Sequence, residues 1–499
     1  MPESKISLGR RSFLRGAGVL APFIGSLEAL QAAQRPGAKP NNIIFMVADG
    51  MSPSVLSLAE HFSQRVRGKG LLWRALIDRP EAARGLMDMA SLNSVTTDSA
   101  AASSSWGSGS RIFNGWLNML PDKTALTPIA QIARDRKKRV GLVTTTTITH
   151  ATPAGFAAVQ DSRGREEEIA GQYLGLVDVL MGGGIEFFDA AQRKDQKDLA
   201  GQFRSSGYAF VSNRKALLDL RGKNKVLGLF SKGMIPFTVD RNNSAELTEK
   251  VPTLAEMTTV ALESLRGSPG GFLLQVEGGR VDHAAHNNDA GAMLWEQLAF
   301  DEAIEVALRF AERNPETLIV ITSDHGNANP GTGGRSAEYG SSSNTFEMVA
   351  KAKCSYSQIT PKFSAKAKPS AADVRELIKD AFSIEVTAEE AEAVRASGAG
   401  AKRLSLNTRL DRINGILGQV LGNYTGISWV STDHTSDYVL LTALGPGSER
   451  FAGHVRNTRC FEIMVEYMGS SFRNPSMDPQ RALQFRKAAA LFPQKPHWV

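Results

Sequence analysis

Several apolar, β-branched runs in this chain end abruptly in polar clusters. "NIIFMVADGM" runs into Asp49, "RVGLVTTTTITHATP" into His150 and Thr152, "GFLLQVEGGRVDHAAH" into Glu277, and "TLIVITSDHGN" into Asp324 and His325. "DYVLLTALG", just after "STDHTS", is a further strand candidate. These runs alternate with helix-period stretches such as "TPIAQIARDRKKR" and "AGAMLWEQLAFDEAIEVALRFAER". The alternation predicts an α/β fold with a mainly parallel central sheet sandwiched by helices. Open sheets of that kind bind ligands beyond the carboxyl ends of their strands, so clusters far apart in sequence can converge there.

The pattern changes between Asn327 and Trp429. A Gly/Ser loop, "PGTGGRSAEYGSSSN", leads into short helices with little that reads as central strand, so 327–429 is expected to be an insertion forming a cap or a subunit contact. A second anomaly is "SVTTDSAAASSSWGSGSR", Ser94 to Arg111. By composition it resembles a flexible tether. However, a tether has no use for Trp106, and Thr96, Thr97, Asp98 and Ser99 before an alanine run read as a helix start. Ser99 would then sit where backbone N–H groups and the helix dipole favour negative charge, a place for a nucleophile or a bound phosphate.

Composition narrows the classes. The chain has 499 residues, 42% hydrophobic content and a formal charge of +7, ordinary for a large soluble domain. The basic residues look dispersed in runs such as "ARDRKKR" and "RGKNK", which reads as solvated loops and helix ends, so no nucleic acid partner is expected. A mild positive field would instead help attract anionic substrates. No apolar run reaches the about 18 residues a membrane span requires, so no stable membrane anchor is expected in the mature protein. At the N-terminus, "GRRSFLRG" and the apolar "GAGVLAPFIGSLEAL" resemble a twin-arginine export signal over residues 1–34, with a basic amphipathic tail as the alternative. The signal implies a periplasmic or secreted protein that folds before crossing the membrane, leaving 35–499 as the mature domain. Cys354 and Cys460 are the only cysteines; a disulfide is allowed but not implied, and any metal must be held by His and carboxylates.

Five of the eight histidines, His150, His283, His286, His325 and His434, lie in the polar clusters. Asp282 and His286 are four residues apart, on one face at the start of the helix predicted after Glu277. That spacing fits one zinc ion and equally an exposed ion pair. Asp324 and His325 can both ligate where the chain leaves a strand, or form a simple turn.

"VADGM", "VTTDSAAASSSW", "THATPAGF", "VEGGRVDHAAH", "SDHGN" and "TDHTS" appear in the order found in the alkaline phosphatase family, and the resemblance spans most of the chain from Asn41 to beyond His434. The resemblance implies an α/β sandwich, two zinc ions, one magnesium ion and a phosphoserine intermediate. It makes Ser99 the nucleophile. It assigns Asp282, His286 and His434 to one zinc, and Asp49, Asp324 and His325 to the second, which also contacts the Ser99 oxygen. Asp49 would bridge to magnesium, completed by Thr152 and Glu277. Arg163, in "QDSRGR", matches the phosphate-clamping arginine and Asp98 would orient it; without the family frame Arg163 also reads as a solvated member of a charged run.

The chemistry agrees with this assignment. A serine hydroxyl is a weak nucleophile at neutral pH, and two metal ions about 3.5–4 Å apart can stabilise both the attacking and the leaving oxygen of an in-line phosphoryl displacement. Where some family members carry Asp and Lys, this chain has His150 and His283, so the third site is expected to hold magnesium less tightly or to accept zinc. The resulting expectation is a phosphomonoesterase acting on small organic phosphate monoesters, with a homodimer compatible but not specified. Two alternatives stand beside it: a phosphodiesterase of the same superfamily, and a non-catalytic phosphate-binding protein. Ser99 together with Thr152, Glu277 and Arg163 favours monoesters, and no ligand or nucleophile is lost, as a non-catalytic binder would predict.

Overall fold

In the computed structural model of the chain, the described residues are 39–220, 222–333, 336–364, 366–400 and 406–485. The expected export signal at 1–34 lies outside them. Ten strands form one sheet. In chain order they are β1 (Asn42–Ala48), β2 (Ala83–Asp88), β3 (Arg139–Thr147), β4 (Val179–Gly183), β5 (Ala209–Val211), β6 (Val226–Leu229), β7 (Phe272–Gly278), β8 (Thr317–Thr322), β9 (Val439–Leu444) and β10 (Gly453–Arg456). The spatial order is β10-β2-β9-β8-β1-β7-β3-β4-β6-β5. Every described pairing in the sheet is parallel except those of β9, which runs antiparallel to β8 and β2.

The central strands are buried along their whole length, as parallel strands covered by helices on both faces must be. Alternate residues of β1 feed different cores: Ile44 and Met46 join one apolar cluster, and Ile43, Phe45 and Val47 the other. Register then aligns the strand ends. Val47 lies level with Glu277 of β7 on one side and with Thr322 of β8 on the other. Thr144 of β3 lies level with Glu277 from the far side. Asp49, Glu277 and Asp324 therefore emerge at one edge, as the strand ends predicted.

Two helices over that edge pack unusually closely. A Cβ on Gly107, in the helix α1 (Ser99–Ser108), would lie 2.0 Å from the carbonyl oxygen of Gly155 in α2 (Ala151–Ala157). Only glycine at that position lets α1 approach the helix that carries Thr152.

Two boundaries differ from expectation for identifiable reasons. The helix in "TPIAQIARDRKKR" covers only Ile129–Asp135, because Lys137 adopts a left-handed φ of 59° that turns the chain into β3. Asp282 and His286 stand not at the start of the long helix but on a short one of their own, α3 (Arg280–His286). The break falls at Asn288, with φ 50°, after which Asp289 caps α4 (Ala290–Arg313) by accepting from the Ala292 N–H at 3.0 Å. The described residues of 327–429 form little strand. Gly331–Thr332 pairs with Ile427–Ser428, and the helices Ala371–Phe382, Ala388–Gly398 and Ile413–Thr425 enclose a small separate core that includes Val374, Ile378, Val394 and Leu417. Cys354 and Cys460 are both free thiols.

Candidate active site

Asp98 is the N-cap of α1. One carboxylate oxygen accepts from the Ala101 N–H at 2.9 Å, which satisfies a donor that the first helical turn leaves open. Ser99, the first helical residue, is 1% exposed, and its Oγ lies 3.2 Å from His325 Nε2. The tether reading of this run is thereby excluded: every residue of α1 is buried, and Trp106 packs on Phe45.

The second Asp98 oxygen accepts from the Gly115 N–H at 3.0 Å and from Arg163 Nη1 at 3.1 Å. Arg163 is held in place by its backbone too, donating to Gly115 O at 2.8 Å. Its Nη2 donates to His150 Nε2 at 2.8 Å. A guanidinium can only donate, so His150 presents a lone pair at Nε2. The alternative of a solvated surface arginine does not hold.

Three groups of potential ligands are brought together, the last two sharing Asp49: Asp282 with His286 and His434, Asp49 with Asp324 and His325, and Asp49 with His150 and Glu277; within each, one ligand atom per residue lies within 4.8 Å of the others. In the first group, His286 Nδ1 donates to Thr432 O at 2.6 Å and His434 Nδ1 to Thr97 O at 2.8 Å. Carbonyls only accept, so both neutral rings carry their lone pair on Nε2. Those two Nε2 atoms face each other at 3.0 Å, and Asp282 oxygens lie 3.3 Å and 3.6 Å from them. Two lone pairs and a carboxylate at that separation call for a cation. In the second group, His325 Nε2 is 3.0 Å from Asp324 and 3.6 Å from Asp49. Gly50, with φ 67°, donates its N–H to Asp324 at 2.9 Å, and a Cβ there would lie 2.3 Å from an Asp282 oxygen. In the third, Thr152 Oγ1 donates to Asp49 at 3.2 Å and Thr144 Oγ1 donates to Glu277. Thr152 thus enters through Asp49, while the close ligand group itself contains His150.

The charge balance points the same way. Burial, then the neighbouring Asp324, Asp282 and Glu277, push Asp49 well above the usual carboxylate range. Burial raises Glu277 to about 7. Asp49 Oδ1 and Glu277 Oε1 are buried with no hydrogen-bond donor among the described residues. Buried carboxylates left so exposed to one another are stable only when paired or bound to metal. The donor set, imidazole nitrogen at one end and carboxylate oxygen at the other, fits divalent cations.

A profile of the alkaline phosphatase family matches residues 40–469. The chain belongs to the alkaline phosphatase family. It aligns with alkaline phosphatase 4 of Bacillus subtilis at 31% identity, covering 91% of this chain and 94% of that protein. It aligns with streptomycin-6-phosphate phosphatase of Streptomyces griseus at 32% identity over 65% of this chain and 83% of that protein. The crystal structure of Thermus thermophilus alkaline phosphatase superposes with a TM-score of 0.85 at 35% identity, covering 92% of this chain and 98% of that one. Alkaline phosphatases are metal dependent, in keeping with the three ligand groups.

Sequence reasoning missed some supporting residues. Asn327 Nδ2 donates to Asp282 Oδ1 at 2.7 Å, Ser323 Oγ accepts from the Met51 N–H at 3.0 Å, and Arg280 donates to His283. Each lies within or beside a motif, but its role depends on a partner distant in the chain.

Proposed function

We propose that the protein hydrolyses phosphate monoesters through a phosphoserine formed on Ser99. The observation that carries this reading is the position of Ser99 at a helix N-terminus, in contact with His325 and next to Asp98, the residue on which Arg163 is anchored. Asp282, His286 and His434 would hold one zinc ion, Asp49, Asp324 and His325 a second, and Asp49, Glu277 and Thr152 the magnesium site, with His150 beside it. When bound, such ions supply positive charge that makes serine and water better nucleophiles and stabilises the departing oxygen.

The chain's own residues do the rest. Ser99 Oγ attacks phosphorus and the ester oxygen leaves; water then cleaves the Ser99 phosphoester and restores the hydroxyl. Backbone N–H groups at the start of α1 and the helix dipole favour the phosphoryl charge. Arg163 offers a planar fork for two phosphate oxygens, a shape lysine lacks, and Asp98 holds that fork rigid before substrate arrives.

The test compares p-nitrophenyl phosphate with bis-p-nitrophenyl phosphate. Monoester turnover should dominate, and preference for the diester would shift the assignment to a phosphodiesterase. We further infer export by the twin-arginine route to the periplasm or exterior, with insertion 327–429 serving as a cap or subunit contact, compatible with a homodimer. Among the described residues no helix is long and apolar enough to cross a membrane. Replacing Arg10 and Arg11 by lysine should leave the protein uncut in the cytoplasm; normal export would reject that route.

A further inference from the structure

Within α3, two histidines are held in opposite states. His286 donates from Nδ1 to Thr432 O, so its Nε2 bears the lone pair. One turn earlier, His283 Nδ1 faces Arg280 Nη1 at 2.9 Å. The guanidinium has no acceptor atom, so here Nδ1 must hold the lone pair and the ring hydrogen resides on Nε2. Arg280 is itself fixed on several sides. Its backbone N–H donates to Thr145 Oγ1 at 3.1 Å, and its guanidinium stacks over the Phe237 ring at 3.6 Å from the centroid. The His283 ring stands edge-on to His150, with centroids 5.6 Å apart, and His150 in turn holds Arg163.

We propose that Arg280 is a positioning residue: by occupying Nδ1 of His283 it keeps that ring as the Nε2–H tautomer, a neutral donor for a phosphate oxygen, directly or through one water, beside Arg163. The proposal rests on the phosphatase reading for the identity of its ligand. It separates the histidines by task. Those locked by carbonyls present lone pairs to cations, and the one locked by an arginine presents a hydrogen to an anion. An Nδ1–H tautomer of His283 would turn a lone pair toward that anion and weaken binding.

The experiment uses metal-loaded protein labelled with 15N-histidine, with the His283 signals assigned from the His283→Gln variant. Long-range proton–nitrogen spectra of the parent should show His283 as Nε2–H. Arg280→Met should populate the Nδ1–H form and, at unchanged zinc content, raise the inhibition constant for inorganic phosphate by about tenfold. Arg280→Lys, which retains a donor and the charge, should fall between and covers the case in which the methionine variant does not fold. In a His283→Gln background, Arg280→Met should add little further loss. An Nδ1–H or charged His283 in the parent, or an equal loss of phosphate affinity in the His283→Gln background, would overturn the proposal. Failure of the parent to hydrolyse phosphate monoesters would instead sink the phosphatase reading, while the tautomer spectra still decide the Arg280–His283 pair.

Discussion

At the His286–His434 end of the site nitrogen outnumbers carboxylate, and at the Asp49–Glu277 end the reverse holds. Burial, with His325 nearby, holds His434 down at about 3, so its ring stays neutral and ready to ligate. At the other end burial pushes both Asp49 and Glu277 up, and the neighbouring carboxylates push Asp49 further. One end is organised before a metal arrives, because two backbone carbonyls fix its rings. The other is a set of carboxylates in mutual repulsion that only a cation relaxes. Imidazole nitrogen suits zinc and clustered oxygen suits magnesium, so the two ends should respond differently to metal and to mutation.

The sharpest way to break the contrast is to remove a ligand from the organised end. His434→Ala should lower turnover by about a thousandfold and leave one zinc equivalent unbound, with excess zinc failing to restore full rate. Full zinc content and activity in that variant would reject the ligand set. Asn327→Ala removes only the amide that orients Asp282. Zinc affinity should then fall about 10–100-fold, measured by competition with a chromophoric chelator.

The carboxylate end makes a pH-dependent claim about the metal-free protein. Glu277 is raised from 4.5 to about 7 by burial. A carboxyl raised in the fold contributes its stability fully below its unfolded value, and that contribution is lost as pH climbs through the folded value. The melting temperature of chelated protein should therefore drop by roughly a few degrees between the ordinary glutamate range and neutrality. Restoring ions should flatten the slope; an equally flat profile without metal would refute the account of this end. The smallest effect is expected from His150→Asp, which replaces nitrogen by oxygen in the third group. Magnesium activation, titrated after zinc is restored, should shift to lower concentration by several-fold, about 1 kcal/mol. Superimposable curves would show that His150 does not tune the site.

What was legible in the sequence follows from what leaves a one-dimensional trace. Strands buried on both faces write continuous apolar runs, so the ends carrying Asp49, Glu277 and Asp324 could be read directly. The helix start at Asp98–Ser99 was legible because an N-cap acid before small residues is a local signal. The separate helix of Asp282 and His286 was not, since the break depends on Asn288 entering the left-handed region. Nor were the locks on His286 and His434, which are supplied by the carbonyls of Thr432 and Thr97. Any residue offers a carbonyl, so no side chain marks the position. Arg280 and Asn327 escaped for a related reason: each acts on another side chain that only the fold brings within reach.

The central claim is that Ser99 carries the phosphoryl group during turnover. Acid-quenching metal-loaded protein in the presence of a phosphate monoester labelled at phosphorus, followed by peptide mapping, tests it most directly. The label should reside on Ser99 and vanish in Ser99→Ala. Label on another residue, or full turnover by Ser99→Ala, would contradict the account.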